Sequence, residues 1–234
     1  MTVLAAEPRQ LPLDLDWPRR TALARADFVE GNCNAEALAA VEEEGVWGDG
    51  RLILVGDEGC GKTHLAAIWA ARTGARFLDA AALDPASARE AAALDAGVVE
   101  DVDRRLAAAP DRRRAEEGLM HLFNIAGERG GRLLFTGREP PARWDVSLPD
   151  LASRLALPPV FKVGWPDDTL LSRLFLKLFD DRTVDLDPKV AAFLALRSER
   201  SFRAAHRIVE ALDRYSVATG RPVTVGLAKE AFGW

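Results

Sequence analysis

The sequence predicts an α/β fold in which a parallel five-stranded sheet is followed by a smaller, all-helical region. Short apolar segments alternate with helical segments up to about residue 163, a pattern typical of a parallel sheet covered by helices on both faces. The first of these apolar segments runs directly into a glycine-rich motif of the form G-x-x-x-x-G-K-T. Beyond Trp165 and Pro166 no further central strand is predicted, and apolar residues recur at helical spacing.

Five segments are predicted as strands because each is a short apolar run bounded by polar or turn-forming residues. They cover residues 51–55, 76–79, 97–100, 132–136 and 160–163. Helices are predicted over residues 35–47, 62–72, 85–94 and 113–128, and Asn34 is expected to cap the first of them.

The chain is expected to have three parts. Residues 1–18 are expected to form a flexible tail, because prolines interrupt every potential helix there. Residues 19–164 form the α/β domain, and residues 165–234 a small helical domain with helices over 167–180, 187–197 and 201–218. Asp187, followed by Pro188, and Ser201 are expected to begin the last two helices.

Composition excludes several classes of protein. The net charge of −5 gives no bulk basic field for wrapping nucleic acid, so any DNA contact is expected to be indirect or weak. No run of about 18 apolar residues predicts a membrane span, and the first residues do not resemble a secretory signal. Cys33 and Cys60 form neither a disulfide framework nor a zinc-binding pattern. A cytoplasmic protein is therefore expected.

The glycine-rich motif from Gly56 to Thr63 predicts a phosphate-binding loop. Its glycines allow backbone N–H groups to curl around phosphate oxygens, and the following helix directs its positive end at the same place. Lys62 can bind the β- and γ-phosphates, and Thr63 can ligate Mg²⁺. The sequence therefore predicts binding of ADP or ATP with Mg²⁺.

Two adjacent acidic residues, Glu100 and Asp101, stand at the end of the strand predicted over residues 97–100. Beside a phosphate loop, Glu100 is expected to hold the metal and Asp101 to polarise an attacking water; a merely polar strand end is the alternative. Thr136 ends the next strand and can hydrogen-bond the γ-phosphate or the water, or it is an ordinary strand-end threonine.

These motifs, in this order, resemble those of AAA+ ATPases, and over about residues 19–234 they resemble the branch of the bacterial initiator DnaA. The segment from Phe28 to Asn34, reading FVEGNCN, resembles the adenine-holding segment of that branch. Residues 133–141 resemble the sensor-1 stretch of that branch. Residues 148–155 resemble the segment that carries its arginine finger, which is Arg154 here. Arg203 matches its sensor-2 position. The resemblance implies nucleotide contacts by Phe28, Val29, Gly56, Gly59, Cys60, Gly61, Lys62, Thr63, His64 and Arg203.

Within this branch the sequence is most similar to the Hda (HdaA) family of DnaA-related regulators. The chain ends soon after the helical region, where no DNA-reading helix-turn-helix is expected. The tail also carries QLPLDL, which resembles the sliding-clamp-binding motif of that family, although a loosely packed extension is the alternative. The residues of the motif implied to bind the clamp are Gln10, Leu11, Leu13 and Leu15.

The resemblance implies a regulator of replication initiation. It would promote hydrolysis of DnaA-bound ATP, with Arg154 acting in trans, while tethered to the DNA polymerase III sliding clamp (the β subunit); a homodimer is a further expectation. Glu100 departs from the family's usual Asp, which implies weak intrinsic hydrolysis or a site that mainly holds ADP. The alternatives are a helicase loader or transposition helper of the same branch, and a free-standing nucleotide kinase.

Overall fold

The computed structural model describes residues 23–91, 93 and 95–234. Within these residues the strands are β1 (Arg51–Val55), β2 (Arg76–Leu78), β3 (Ala96–Val99), β4 (Arg132–Gly137) and β5 (Val160–Lys162). The helices are α1 (Ala35–Glu42), α2 (Lys62–Thr73), α3 (Pro85–Ala91), α4 (Val102–Ala107), α5 (Arg112–Glu128), α6 (Pro149–Leu155), α7 (Asp168–Asp180), α8 (Pro188–Arg197), α9 (Phe202–Thr219) and α10 (Val225–Phe232). Single 3-10 turns occur at Arg25–Asp27, Glu44–Val46, Ala80–Ala82 and Pro141–Arg143.

The five strands form one parallel sheet in the order β2-β3-β4-β1-β5. β1 is therefore internal, and Ile53 pairs with Phe135 of β4 and Val160 of β5. The predicted α/β fold with a parallel five-stranded sheet is confirmed. Because parallel strands end at the same edge of the sheet, the loops that follow β1, β3 and β4 meet there.

Separate apolar clusters cover the two faces of the sheet. On one face α1 and α2 pack against the sheet, with Leu38, Leu65 and Trp69 buried. On the other face α5 and α6 contribute Leu119 and Leu151 to the second cluster. Burial on both faces explains why β1 is a continuous apolar run after its first residue rather than an alternating one.

The helices α7 to α10 share a third apolar cluster. Asp187 caps α8 by accepting a hydrogen bond from the Lys189 N–H, and Ser201 caps α9 by accepting one from the Ala204 N–H, both as predicted. α4, α6 and α10 were not predicted; each has at most eight residues, and α10 begins with the weak helix formers Val and Gly. The proposed division of the chain at residues 18 and 164 stays a prediction.

None of the helices that the structure describes is both long and apolar enough to cross a membrane.

Candidate nucleotide-binding site

The glycine-rich motif forms a tight loop between the end of β1 and the start of α2. Gly56 has φ +154°, and a Cβ atom there would lie 2.2 Å from the Val163 carbonyl oxygen, so no side chain fits. The other end of the loop is Gly61, which precedes α2 and has no side chain to cap it. The first N–H groups of α2 therefore have no partner within the helix and suit an anion.

Lys62 lies inside this loop, with only 6% of its surface exposed. Its Nζ donates hydrogen bonds to the carbonyl oxygens of Gly56, at 2.7 Å, and Asp57, at 3.0 Å. Nζ also lies 4.0 Å from the Cys60 Sγ. A thiol sulfur is a weak acceptor, so the third N–H of the ammonium can turn to a phosphate oxygen. The two carbonyl contacts hold the charge at the loop, as a phosphate-binding lysine requires.

The two predicted acids follow β3 beside the loop. Burial raises the pKa of Glu100, and a hydrogen bond with the Thr63 side chain partly opposes that shift. Asp101 adopts a left-handed conformation, with φ +47°, and its N–H donates to the Thr136 hydroxyl at 2.9 Å. Thr136 is 1% exposed, so its hydroxyl fixes the turn that carries both acids. Thr63 and Glu100 are together, as a metal-binding pair would require.

Two aromatic rings, those of Phe28 and His64, lie beside the end of the loop. The Phe28 ring is buried and packs edge-on against the His64 ring, with centroids 5.1 Å apart. The His64 Nε2 is 3.0 Å from the Ala24 carbonyl oxygen. Burial lowers the pKa of His64, so this ring is neutral at pH 7. Such a surface suits the base of a nucleotide.

The buried amide of Asn34 holds the Phe28 segment in shape. Its Oδ1 accepts a hydrogen bond from the Gly31 N–H at 2.8 Å, and its Nδ2 donates to the Val29 carbonyl oxygen at 3.1 Å. Asn34 precedes α1, as predicted, but its side chain makes no capping bond to that helix. The expectation of a helix cap is wrong in this respect, because the amide is engaged by the preceding turn.

Helix α7 also contacts the chain around Phe28. Lys177 Nζ lies 3.1 Å from Asp27 Oδ1, and Arg173 Nη1 donates to the Glu30 carbonyl oxygen at 3.1 Å. Val29 packs against the apolar cluster of α7 to α10. The segment predicted to hold the base is therefore shared between the sheet and the helical region.

Arg203 reaches the phosphate loop from the first turn of α9. Its Nη1 donates to Glu58 Oε1, which belongs to the loop. Its Cβ is also close to the loop, since a Cβ atom on Gly59 would lie 3.4 Å from it. Arg203 and the loop are thus in contact, and the guanidinium is held by the acidic side chain of Glu58. The sensor-2 role of Arg203 stays a prediction.

Arg154 lies away from the loop. Burial lowers the pKa of the Arg51 guanidinium, and the negative charge of Asp49 partly opposes this shift. The positive charge of Arg154 also lowers the pKa of Arg51, so Arg154 lies near Arg51. Arg51 starts β1, whereas the loop follows its end, roughly 16 Å further along. Arg154 is exposed, and its guanidinium has neither a hydrogen bond nor an ion pair with any residue that the structure describes.

The helix that carries Arg154 is anchored by a buried carboxylate of α5. Glu116 is 0% exposed and accepts hydrogen bonds from the Ser147 N–H and hydroxyl and from the Leu148 N–H. Arg112 adds an ion pair at 3.0 Å. Leu148 immediately precedes α6, so this cluster fixes where the helix begins and how it presents Arg154.

Taken together, the residues around the loop fit a nucleotide with a divalent cation. Gly61, Lys62 and the start of α2 offer donors to phosphates, and Thr63 with Glu100 offers oxygen ligands of the kind Mg²⁺ prefers. The bound metal would neutralise phosphate charge. The remaining residues of the predicted set that lie at this site are Phe28, Val29, Gly56, Gly59, Cys60, His64, Asp101, Thr136 and Arg203. Of these, Cys60 is buried, and burial raises the pKa of its thiol.

Two predicted groups lie elsewhere. Arg154 is distant from the loop, as an arginine finger acting in trans requires. The clamp-binding residues Gln10, Leu11, Leu13 and Leu15 fall outside the residues that the structure describes.

The fold is similar to those of solved DnaA and RuvB structures. No family model matches the chain. Domain III of the replication initiation protein DnaA from Thermotoga maritima is similar over 93% of this chain and 98% of its own, with TM-score 0.74 and 17% identity. The RuvB Holliday junction branch migration motor from Thermotoga maritima matches over 91% and 72%, with TM-score 0.69 and 15% identity. DnaA from Aquifex aeolicus bound to AMPPCP matches over 80% and 63%, with TM-score 0.61 and 16% identity.

Sequence reasoning did not predict that Glu58 pairs with several arginines. Arg138 Nη2 donates to Glu58 Oε2, and Arg104 Nη1 lies 3.9 Å from the same oxygen. An acidic residue at a variable position of a phosphate loop was the available signal, because its charge opposes that of the ligand. The neighbouring arginines Arg105, Arg112, Arg113 and Arg114 form ion pairs with other acids in the described part of the chain.

Proposed function

We propose that this chain is a nucleotide-binding AAA+ regulator of replication initiation, similar to the Hda family. It promotes hydrolysis of ATP bound to DnaA and is tethered to the sliding clamp. The observation that carries the proposal is the separation of Arg154 from the chain's own phosphate loop. A guanidinium that is exposed, unpaired among the described residues and fixed on an anchored helix is suited to a phosphate in another molecule.

The chemistry follows from the properties of the guanidinium. It is permanently charged and offers planar donors to phosphate oxygens, which an ammonium reproduces poorly. An arginine finger supplied in trans raises hydrolysis by about 10³–10⁵-fold. In this proposal the catalytic water and metal belong to DnaA, and this chain contributes Arg154.

The chain's own nucleotide has a structural role in the proposal. Residues of the loop, the Phe28 segment and α9 surround one site, so a nucleotide there contacts both the sheet and the helical region. Its presence would fix the relative position of the two and thereby the shape offered to a partner.

The tether is proposed from the sequence. The QLPLDL segment resembles a clamp-binding motif, and an extended peptide of this kind docks through an apolar pocket and a polar niche. The clamp would concentrate the chain on DNA even if the chain's own contact with DNA is weak.

The test is ATP turnover by DnaA in the presence of clamp loaded on DNA. We expect Arg154→Ala to abolish stimulation and Arg154→Lys to be nearly as defective, while nucleotide and clamp binding by the chain stay intact. Arg89→Ala is the matched control, because Arg89 is also exposed and forms no ion pair among the described residues. Full stimulation by the Arg154→Ala variant would contradict the trans mechanism.

A second candidate is an ATPase of the same branch that acts as a helicase loader or a DnaA-like replication factor. The observation that favours it is the pairing of Thr63 with Glu100 beside Asp101, a set that could support hydrolysis at the chain's own site. ATP hydrolysis by the isolated chain would favour this candidate over the regulator if the rate does not change when DnaA is added and if it is lost in Asp101→Asn.

A further inference from the structure

One acidic side chain of the phosphate loop gathers arginines from separate elements. Glu58 accepts hydrogen bonds from Arg203, on α9, and from Arg138, which follows β4. Arg104 of α4 lies 3.9 Å away. These cations, led by the hydrogen bond from Arg203, lower the pKa of Glu58, so its carboxylate is charged at neutral pH.

The same loop touches α9 through its backbone. The Phe202 N–H donates to the Gly59 carbonyl oxygen at 3.2 Å. A Cβ atom on Gly59, which has φ +83°, would lie 2.9 Å from the Ser201 hydroxyl, so glycine permits this close approach. The carboxylate of Glu58 thus reinforces a contact between the loop and the start of α9.

A carboxylate and a phosphate compete for the same guanidinium. Both accept charge-assisted hydrogen bonds from the planar donors of arginine. A terminal γ-phosphate near Arg203 would compete with Glu58 for the guanidinium and would bring additional negative charge near that carboxylate. A diphosphate has no γ-phosphate and leaves the contact between Glu58 and Arg203 in place.

We propose that Glu58 is a specificity-determining residue that favours a nucleoside diphosphate over a triphosphate at this site. The inference rests on the proposed binding of a nucleotide by the phosphate loop. In this inference the Glu58 carboxylate takes the place of a γ-phosphate as the partner of Arg203 and Arg138. The helical region therefore contacts the loop even when no third phosphate is bound.

The experiment compares the dissociation constants of ADP and ATP, with Mg²⁺, by calorimetry for wild type and Glu58→Gln. We expect the substitution to strengthen ATP binding relative to ADP by about tenfold, the change that about 1.4 kcal/mol produces. Asp57→Asn is the matched control. It also removes one negative charge from the loop, but the Asp57 carboxylate binds no arginine among the residues described by the structure. It should leave the ratio of the two constants unchanged.

A double-mutant cycle with Arg203→Ala separates the contact from general charge effects. The gain in ATP affinity from Glu58→Gln should largely disappear when Arg203 is absent, whereas the ADP values should be additive. Hydrogen exchange of the Phe202 amide in the nucleotide-free chain gives a readout independent of binding, and it should be faster in Glu58→Gln.

The possible failures are distinguishable. If wild type binds neither nucleotide, the proposed function itself fails and this inference with it. If both nucleotides bind but Glu58→Gln leaves their ratio unchanged, or Asp57→Asn shifts it equally, nucleotide binding stands and the role of Glu58 is wrong.

Discussion

Replacing Glu116 tests how the helix that carries Arg154 is held. In Glu116→Ala, the N–H groups of Ser147 and Leu148 and the guanidinium of Arg112 lose their acceptor. Removing one partner of a buried charge pair costs about 3–5 kcal/mol. Arg112 is one-third exposed and already contacts Asp145, so it can turn to that acid. We therefore expect the free energy of unfolding to fall by about 3 kcal/mol, at the lower end of that range.

The assay is equilibrium unfolding in urea, with thermal unfolding as a second measurement. A loss of about 3 kcal/mol corresponds to a fall in melting temperature of roughly 6–12 °C for a chain of this size. Glu117→Gln is the control, because among the described residues the Glu117 carboxylate forms only an exposed ion pair with Arg113. Its effect should be below about 1 kcal/mol. Equal losses in the two variants would show that the Glu116 cluster does not stabilise the fold.

The pH dependence of stability provides an independent check. Burial raises the pKa of Glu116, but the hydrogen bonds from Ser147, Arg112 and Leu148 together outweigh it, and the pKa lies below its ordinary value. Because the folded chain holds the proton less tightly than the unfolded one, this contribution is fully present above the unfolded pKa of about 4.3. It is lost as the pH falls through the folded pKa. Glu116→Gln should therefore weaken the acid dependence of stability, and an unchanged dependence would contradict this assignment.

Two further predictions concern the binding sites. Lys62→Ala should abolish or strongly weaken ADP binding measured by calorimetry, because it removes the point charge held at the loop, whereas the exposed Lys189→Ala should have no effect; equal affinities would contradict the phosphate-loop assignment. Replacing the tail residues with alanine should remove binding to purified clamp in a pull-down and leave the melting temperature unchanged, since the tail is expected to contribute little to the core; retained clamp binding would assign the tail to a loosely packed extension. The tail residues to replace are Gln10, Leu11, Leu13 and Leu15.

Regular, buried elements were the most predictable part of the fold. β1 was predicted with its observed bounds because a strand buried on both faces is a continuous apolar run, and the phosphate loop marks its end. α9 was predicted from its apolar spacing and from Ser201 as its cap. α6 was missed because seven residues are too few to show a helical period, and its burial through Leu151 and Leu155 depends on neighbours distant in the sequence.

The candidate site was predictable only where chemistry is local. The spacing of Gly56, Gly61, Lys62 and Thr63 specifies a phosphate loop within eight residues. The role of Asn34 was predicted wrongly because asparagine side chains can either cap a helix or hydrogen-bond the backbone of a turn. Only the structure shows that Asn34 does the second. The arginines around Glu58 could not be assigned, since up to 145 residues separate the partners.

The attachment of the Phe28 segment to α7 has a consequence for how the chain folds. Asp27 and Lys177 are 150 residues apart, and Glu30 and Arg173 are 143 apart. Closing loops of this length lowers the conformational entropy of the chain before the contacts can stabilise it. Contacts between residues that are distant in the sequence therefore slow folding. During synthesis the segment emerges before the whole sheet, while its partner helix emerges after it. The helical region can therefore complete its apolar cluster around Val29 only after the intervening chain has brought the two together.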